Sequence, residues 1–279
     1  MPTLQEALRN ATQNLRGLSD TPQLDAEVLL AHVCHIRRID CISRGLEELS
    51  VEHDNLFQEL VSRRKAHEPV AYLVGVQEFF GRSFAVDSRV LIPRPETELL
   101  VERAIEILNT QEGPKRVLDL GTGSGCIAIS LAIECSDIRV DAVDISRDAL
   151  SVAQENARVH SCANIEFLES DWFCNVKYSQ YDLIVSNPPY VARGDSKCGR
   201  GIHFEPDLAL YAENGGTQAL EFLIHHAPHY LRAGGTLLCE IGADQGEVSK
   251  ELAQKVLGDG WVIIHEDLAH LPRCIEIRL

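Results

Sequence analysis

Along residues 4–75 the apolar positions recur three and four apart. Leu4, Ala7, Leu8, Ala11 and Leu15 fall on one helical face. A second helix is predicted after Asp20 or Thr21, with Pro22 in its first turn and Leu24, Val28, Leu29 and Val33 inward. A third is predicted from about Val51 to Ala66, with Leu56, Leu60 and Val61 inward. No alternating run interrupts these segments, so residues 1–75 read as a small helical domain. Residues 76–93, VQEFFGRSFAVDSRVLIP, switch to alternation around Gly81 and predict a β-hairpin linker. Pro93 and Pro95 then stiffen the chain ahead of a helix from about Glu96 to Leu108.

From Arg116 the pattern alternates between period two and helical period. RVLDL, RVDAVDI, NIEFLESD, YDLIVS and GGTLLCEIG read as strands. The segments CIAISLAIE, RDALSVAQENARVH, TQALEFLIHHAPHYL and QGEVSKELAQKVL read as helices. WVIIHED and RCIEIRL close the chain as two further strands. Such alternation predicts an α/β domain over 94–279, with a mostly parallel seven-stranded sheet and helices on both faces. The last two strands are joined by too short a turn for a parallel crossover, so the final strand is expected to run antiparallel.

Composition narrows the setting. The chain has 26 basic and 42 acidic residues, a net charge of −16. That field repels phosphate backbones and anionic lipid and attracts basic partners. No stretch reaches the length of about 20 apolar residues that a membrane span needs. The first ten residues, MPTLQEALRN, lack a basic and then apolar leader, so a cytoplasmic protein is expected. Nine cysteines occur with no CxxC pair, which predicts reduced, mostly buried thiols. His225, His226 and His229 include an i, i+4 pair, yet no third ligand accompanies them, and no metal is expected.

The candidate chemistry sits where strands end. After Asp119 comes GTGSG, that is Gly121, Thr122, Gly123, Ser124 and Gly125. Glycines there let the backbone turn tightly and let a ligand approach the main chain. Alone, the loop also fits a plain strand-to-helix turn. Asp144 closes the next strand and suits the two hydroxyls of an adenosine ribose. The third glycine comes one residue earlier than in a dinucleotide fingerprint, which favours S-adenosylmethionine over NAD. Asp171 and Trp172 follow the third strand. They suit an adenine amino group and ring, and equally a capping Asp and a core Trp.

Asn187, Pro188, Pro189 and Tyr190 follow the fourth strand. Neither proline has an N–H, and both have fixed φ, so the turn is rigid and stays out of the sheet. The Asn187 side-chain oxygen and the Pro188 carbonyl can together accept both hydrogens of an NH2 group. Tyr190 can pack over the planar group that carries that nitrogen. This arrangement suits methylation of an amide or amino nitrogen, where positioning replaces a strong base.

DLGTGSG, the acidic end of the second strand, DW and NPPY together resemble the class I amino-methyltransferases. LIPRPETELLVE at 91–102, HFEPDLAL at 203–210 and the helical N-terminus narrow the resemblance to the release factor glutamine methyltransferase (PrmC/HemK) family. The resemblance covers essentially the whole chain. It implies a Rossmann-like sheet and S-adenosylmethionine as methyl donor. The target implied is N5 of the glutamine in the Gly-Gly-Gln motif of class I peptide release factors, the protein partner. It further implies that Gly121 to Gly125, Asp144, Asp171, Trp172 and Asn187 contact the cofactor, and that Asn187 to Tyr190 hold the glutamine amide. Pro93 to Glu96 are expected near the methionine end, the helical domain against the release factor, and 191–201 as a lid. A single chain is the expected working unit, with no membrane and no direct nucleic-acid contact. The rival is an N6-adenine methyltransferase, which shares NPPY and would stack a base on Tyr190; the charge of −16 counts against it.

Overall fold

The computed structural model describes residues 1–193, 201–258 and 261–279. They group into two compact units. The first is residues 1–76 with 201–204, and the second is the described parts of 77–198 and 205–279.

The first unit is helical: α1 (Leu4–Leu15), α2 (Pro22–Cys34), α3 (Arg38–Ser43), α4 (Val51–Lys65) and α5 (Val70–Val74). Thr3 and Glu6 close a capping box at α1, and Ser50 caps α4 by accepting from the His53 N–H at 3.1 Å. Leu4, Ala7, Ala11 and Leu15 are buried with Leu29, Leu30, Val33, Phe57, Leu60 and Val61. Two expectations are corrected. Leu24 and Leu56 are exposed, at 40% and 42%, and Ala26 and Phe57 take inward positions instead. Each residue turns a helix by about 100°, so a face misplaced by one or two positions swaps which apolar residue points inward. The helices α3 and α5 also went unpredicted, because one or two turns carry too few apolar positions to show a period.

In the second unit β1 (Val76–Phe79) and β2 (Arg82–Ala85) pair across a turn whose two residues, Phe80 and Gly81, both have positive φ. Phe79 and Phe84 are buried in the core of this unit. A turn of 3-10 helix over Pro95–Thr97 leads into α6 (Glu98–Asn109). Then follow β3 (Lys115–Leu120), α7 (Cys126–Glu134), β4 (Ile138–Asp144), α8 (Arg147–Val159), β5 (Ile165–Glu169), β6 (Tyr181–Ser186) and β7 (Val191–Ala192). The chain continues with α9 (Asp207–Leu210), β8 (Tyr211–Ala212), α10 (Gln218–His226), β9 (Leu231–Glu240), α11 (Gly246–Leu257), β10 (Trp261–Glu266) and β11 (Pro272–Arg278). Helix α10 stops short of the span expected for it, because Pro228 cannot continue the ladder.

Seven strands form one sheet in the order β10-β11-β9-β6-β3-β4-β5. The five from β9 to β5 are parallel, and β11 runs antiparallel between β9 and β10. The expected seven-stranded sheet with an antiparallel last strand is therefore borne out. Strand alternation splits the core. Val117, Val140, Leu183 and Val185 face α6 and α7, while Leu118, Leu120, Ile184 and Leu237 face α10 and α11. The chain runs outward from β3 through β4 to β5 and then returns to lay β6 on the other side of β3. That reversal opens a crevice beyond the carboxyl end of β3, flanked by the ends of β4 and β6.

Candidate active site

The loop after β3 is built on main-chain bonds. The N–H groups of Gly121 and Thr122 both donate to the Val143 carbonyl at 2.9 Å. Gly123 N–H donates to Asp144 Oδ2, and Ser146 N–H to Asp144 Oδ1, each at 2.9 Å. Asp144 thus ties the loop to the end of β4, and each carboxylate oxygen keeps a further lone pair. Burial raises the Asp144 carboxyl above its ordinary value, against those backbone donors. Beneath the loop the Thr122 hydroxyl donates to Asp119 Oδ2 at 2.7 Å. Asp119 is fully buried, and desolvation pushes its carboxyl up to about 7. A Cβ on Gly121 or Gly123 would meet open space, so the loop presents bare backbone outward. At Gly125 it would sit 3.0 Å from Ile129 Cδ1 and 3.1 Å from Ala153 Cβ, so here glycine lets α7 and α8 close on each other.

NPPY sits one strand away. The register pairs Leu120 with Ser186, and the Ser186 hydroxyl donates to the Leu120 carbonyl at 2.7 Å, so Asn187 and Gly121 leave the sheet side by side. Asn187 Nδ2 donates to Thr97 Oγ1 at 3.1 Å, and among the described residues nothing donates to its Oδ1. Among the same residues no backbone N–H donates to the Pro188 carbonyl. The Tyr190 hydroxyl donates to Glu240 Oε1 at 3.0 Å, and the Tyr190 carbonyl accepts from Gln245 Nε2 at 3.3 Å. Val191 and Ala192 then pair with Tyr211 and Ala212 as β7 and β8. Burial, with the Glu240 charge beside it, raises the Tyr190 phenol far above its usual value, so it stays a donor. The Glu240 carboxyl is itself pushed up to about 7 by burial, while the Thr97 and Tyr190 hydroxyls pull the other way.

The model of the PrmC N-terminal domain matches residues 6–75, and that of the methyltransferase small domain matches residues 96–201. Over 261 residues the chain is 44% identical to a release factor glutamine methyltransferase of Neisseria gonorrhoeae, covering 92% of this chain and 93% of that one. The chain belongs to the release factor glutamine methyltransferase family. A relative of the same name in Nitratidesulfovibrio vulgaris is 42% identical and covers 99% of this chain and 95% of its own. A solved 16S rRNA N2 methyltransferase from T. thermophilus, 19% identical, superposes with a TM-score of 0.51 over 73% of this chain and 49% of that one, a likeness of fold.

In this methyltransferase the structure brings Gly121–Gly125, Asp144 and Asn187–Tyr190 to one edge of the sheet. Asp171 and Trp172 follow β5 on that same edge, two strands from the glycine loop. Asp171 is exposed, and Trp172, at φ +47°, packs against Phe222 of α10 with ring centroids 6.0 Å apart. Arg94 forms an ion pair with Glu205, whose Oε2 also accepts from the Ile92 N–H at 3.0 Å. Glu205 thereby holds Ile92 and Arg94, more than 100 residues away in the chain. Thr97 and Glu205 fall within LIPRPETELLVE and HFEPDLAL without a role predicted for either, and Gly216, Glu240 and Gln245 are not predicted at all. Their signal is weak: a threonine before a helix, a glycine pair, and polar residues closing a strand. The expected lid at 191–201 falls largely on residues 194–200, outside the described residues. A cavity of about 610 Å³ opens at the opposite strand ends, lined by Arg116, Arg139, Asp141 and Glu166. It lies away from the carboxyl ends where ligands of such sheets bind. Among the described residues no helix is long and apolar enough to cross a membrane.

Proposed function

We propose that this enzyme transfers a methyl group from S-adenosylmethionine to N5 of the glutamine in the Gly-Gly-Gln motif of class I peptide release factors. The observation that carries this reading is the Asn187 amide. Its NH2 end is engaged by Thr97, which leaves Oδ1 as an acceptor beside the Pro188 carbonyl. Two fixed acceptors match the two N–H bonds of a primary amide. They hold the nitrogen with its lone-pair face toward the glycine loop, and such positioning can lower a barrier by roughly 7–11 kcal/mol.

The residues of the loop fit the cofactor. Bare backbone at Gly121 and Gly123 admits a ligand without side-chain clash. Asp144 retains lone pairs for the ribose hydroxyls, and Asp171 and Trp172 are assigned to the adenine. When bound, S-adenosylmethionine supplies an electrophilic methyl group on a sulfonium. The chain's own part is to hold the amide, exclude water and orient the lone pair. Asn187 and Pro188 draw on both N–H bonds, which raises electron density on an otherwise delocalised nitrogen. The excess proton on the product nitrogen is acidic and leaves without a dedicated base. Tyr190, anchored through its hydroxyl, offers its ring face to the planar amide. The helical unit, residues 1–75, is assigned to gripping the release factor, with the hairpin segment 76–93 joining it to the methyltransferase domain 94–279. A net charge of −16 suits a basic, RNA-binding partner in the cytoplasm, engaged by a single copy of this chain.

The test is transfer of labelled methyl from S-adenosylmethionine to a purified class I release factor, beside its Gln→Ala variant at Gly-Gly-Gln and beside unmethylated DNA. Label on the release factor, lost in the variant, is the expected result. Label on DNA would replace this reading with adenine methylation.

A further inference from the structure

PRPET and HFEP meet at one buried carboxylate. The Glu205 side chain is 3% exposed and uses both oxygens. Oε2 accepts from the Ile92 N–H at 3.0 Å, and Oε1 pairs with the Arg94 guanidinium. Pro93 lies between these two holds and Pro95 follows them, so φ is fixed on both sides of Arg94. The Arg94 backbone is extended, at φ −102° and ψ 143°, as suits a residue before proline. Its carbonyl accepts from the Thr97 N–H at 3.1 Å and closes the turn over Pro95–Thr97. Thr97, 2% exposed, in turn accepts from Asn187 Nδ2 on Oγ1 at 3.1 Å. An unbroken line of one ion pair and two hydrogen bonds thus runs from Glu205 through Arg94 and Thr97 to the Asn187 amide. Glu205 itself sits on a stiffened segment, because Pro206 follows it at φ −63° and opens α9. A carboxylate so buried is costly unless paired, and its partners here are the two residues that launch the turn.

We infer that Glu205 is a positioning residue for methyl transfer: by holding Ile92 and Arg94 it places the Thr97 hydroxyl where it engages the NH2 end of Asn187. The inference rests on the reading of Asn187 as acceptor for the glutamine amide. A segment with two prolines has few torsions left to absorb a shift, so a hold at residues 92 and 94 is passed on to Thr97. Without the carboxylate the Ile92 N–H is buried and unpaired, and Arg94, already 37% exposed, turns to solvent. The start of the turn is then free to move, and Asn187 loses its fixed partner. An Asn187 amide that turns over presents NH2 to the NH2 of the substrate, donor against donor. Glu205 does not have to touch the cofactor, the substrate or the reacting nitrogen.

The test compares wild type with Glu205→Leu, Glu205→Gln, Thr97→Val and the double variant Glu205→Leu with Thr97→Val. Four quantities are read: steady-state methyl transfer to the release factor, S-adenosylmethionine affinity by calorimetry, thermal melting, and the Asn187 side-chain amide resonance in 15N spectra. In Glu205→Leu, kcat is expected to fall about 30-fold, while KM for the release factor and cofactor affinity stay within about twofold of wild type. Glu205→Gln keeps an oxygen for the Ile92 N–H and gives up the ion pair, so its kcat falls about 10-fold and its melt stays close to wild type. The double variant is no more than about threefold slower than Thr97→Val alone, because both changes act through the same bond to Asn187. The Asn187 resonance moves in Glu205→Leu as it does in Thr97→Val. A wild-type rate in Glu205→Leu overturns the inference, and so do losses that multiply in the double variant. If Glu205→Leu does not fold, Glu205→Gln decides, and a wild-type rate there overturns it. If wild type itself methylates no release factor, the proposed function fails, and the amide resonance alone decides: movement on changing Glu205 supports the positioning role, and no movement overturns it.

Discussion

The glycine loop and the NPPY turn are neighbours built on the same device, by different routes. Each is tied through a hydroxyl to a buried carboxyl that burial pushes up to about 7: Thr122 to Asp119, and Tyr190 to Glu240. Thr122 reaches its partner three residues back in the chain. Tyr190 reaches across 50 residues, and Asn187 reaches 90 residues to Thr97. The glycine loop is thus held by its own strand end and by the adjoining end of β4, through Asp119, Val143 and Asp144. The NPPY turn is a tertiary one, held by Thr97, Gly216, Glu240 and Gln245 from three other segments. On the proposed assignment, the glycine loop meets one invariant molecule, for which main-chain amides and an acid suffice, whereas the NPPY turn has to fix an acceptor in direction, which takes supports from several sides.

Four changes break or sharpen this contrast. The largest effect is expected at Asn187→Ala, which removes the acceptor while leaving the strand intact. Methyl transfer should fall by about 100-fold or more, with an unchanged circular dichroism spectrum. Near-wild-type turnover would mean that the Pro188 carbonyl alone orients the amide.

Next comes Asp144→Ala. It should weaken S-adenosylmethionine binding by roughly 10- to 100-fold in calorimetry, the worth of hydrogen bonds to a charged acceptor. At saturating cofactor its kcat should stay close to wild type. Equal affinity would remove the ribose assignment.

Gly216→Ala attacks the NPPY turn from below. A Cβ there would stand 2.1 Å from the Tyr190 carbonyl oxygen and 2.7 Å from Gln245 Nε2, on a backbone at φ +92°. A destabilisation of about 1–3 kcal/mol is expected, together with loss of rate and retained cofactor affinity. A lost cofactor affinity with normal rate at saturation would show that the two loops are not separately supported.

The smallest effect is a slope. Asp119 and Glu240 hold their protons to about pH 7 in the folded chain, against ordinary values of 3.8 and 4.5. Between those values and 7 the unfolded chain has released protons that the folded chain keeps, so stability from these groups is full below the window and is lost as pH rises through it. Glu240→Gln should therefore flatten the fall in melting temperature between pH 5 and 7 and spare the part due to Asp119. An identical slope in both proteins would mean that Glu240 is already ionised at the lower pH.

Much of this molecule is legible in its sequence because the relevant physics is local. Alternation and helical periods mark all seven strands and the main helices. A short last turn demands an antiparallel final strand. Positive-φ glycines after Asp119 and paired prolines after Asn187 mark where the main chain must turn sharply. These features depend on residues a few positions apart, so spacing alone carries them. Tertiary structure decided the rest. Whether Leu56 or Phe57 of α4 points inward depends on which neighbours surround the helix, and composition does not state that. Asn187 Nδ2 meets the Thr97 hydroxyl, and the Tyr190 hydroxyl meets Glu240, only across 90 and 50 residues of chain. Three strand ends and a helix start meet there only because β6 returns to the side of β3, and a single threonine or glutamate in a linear chain gives no sign of the partner that folding brings to it.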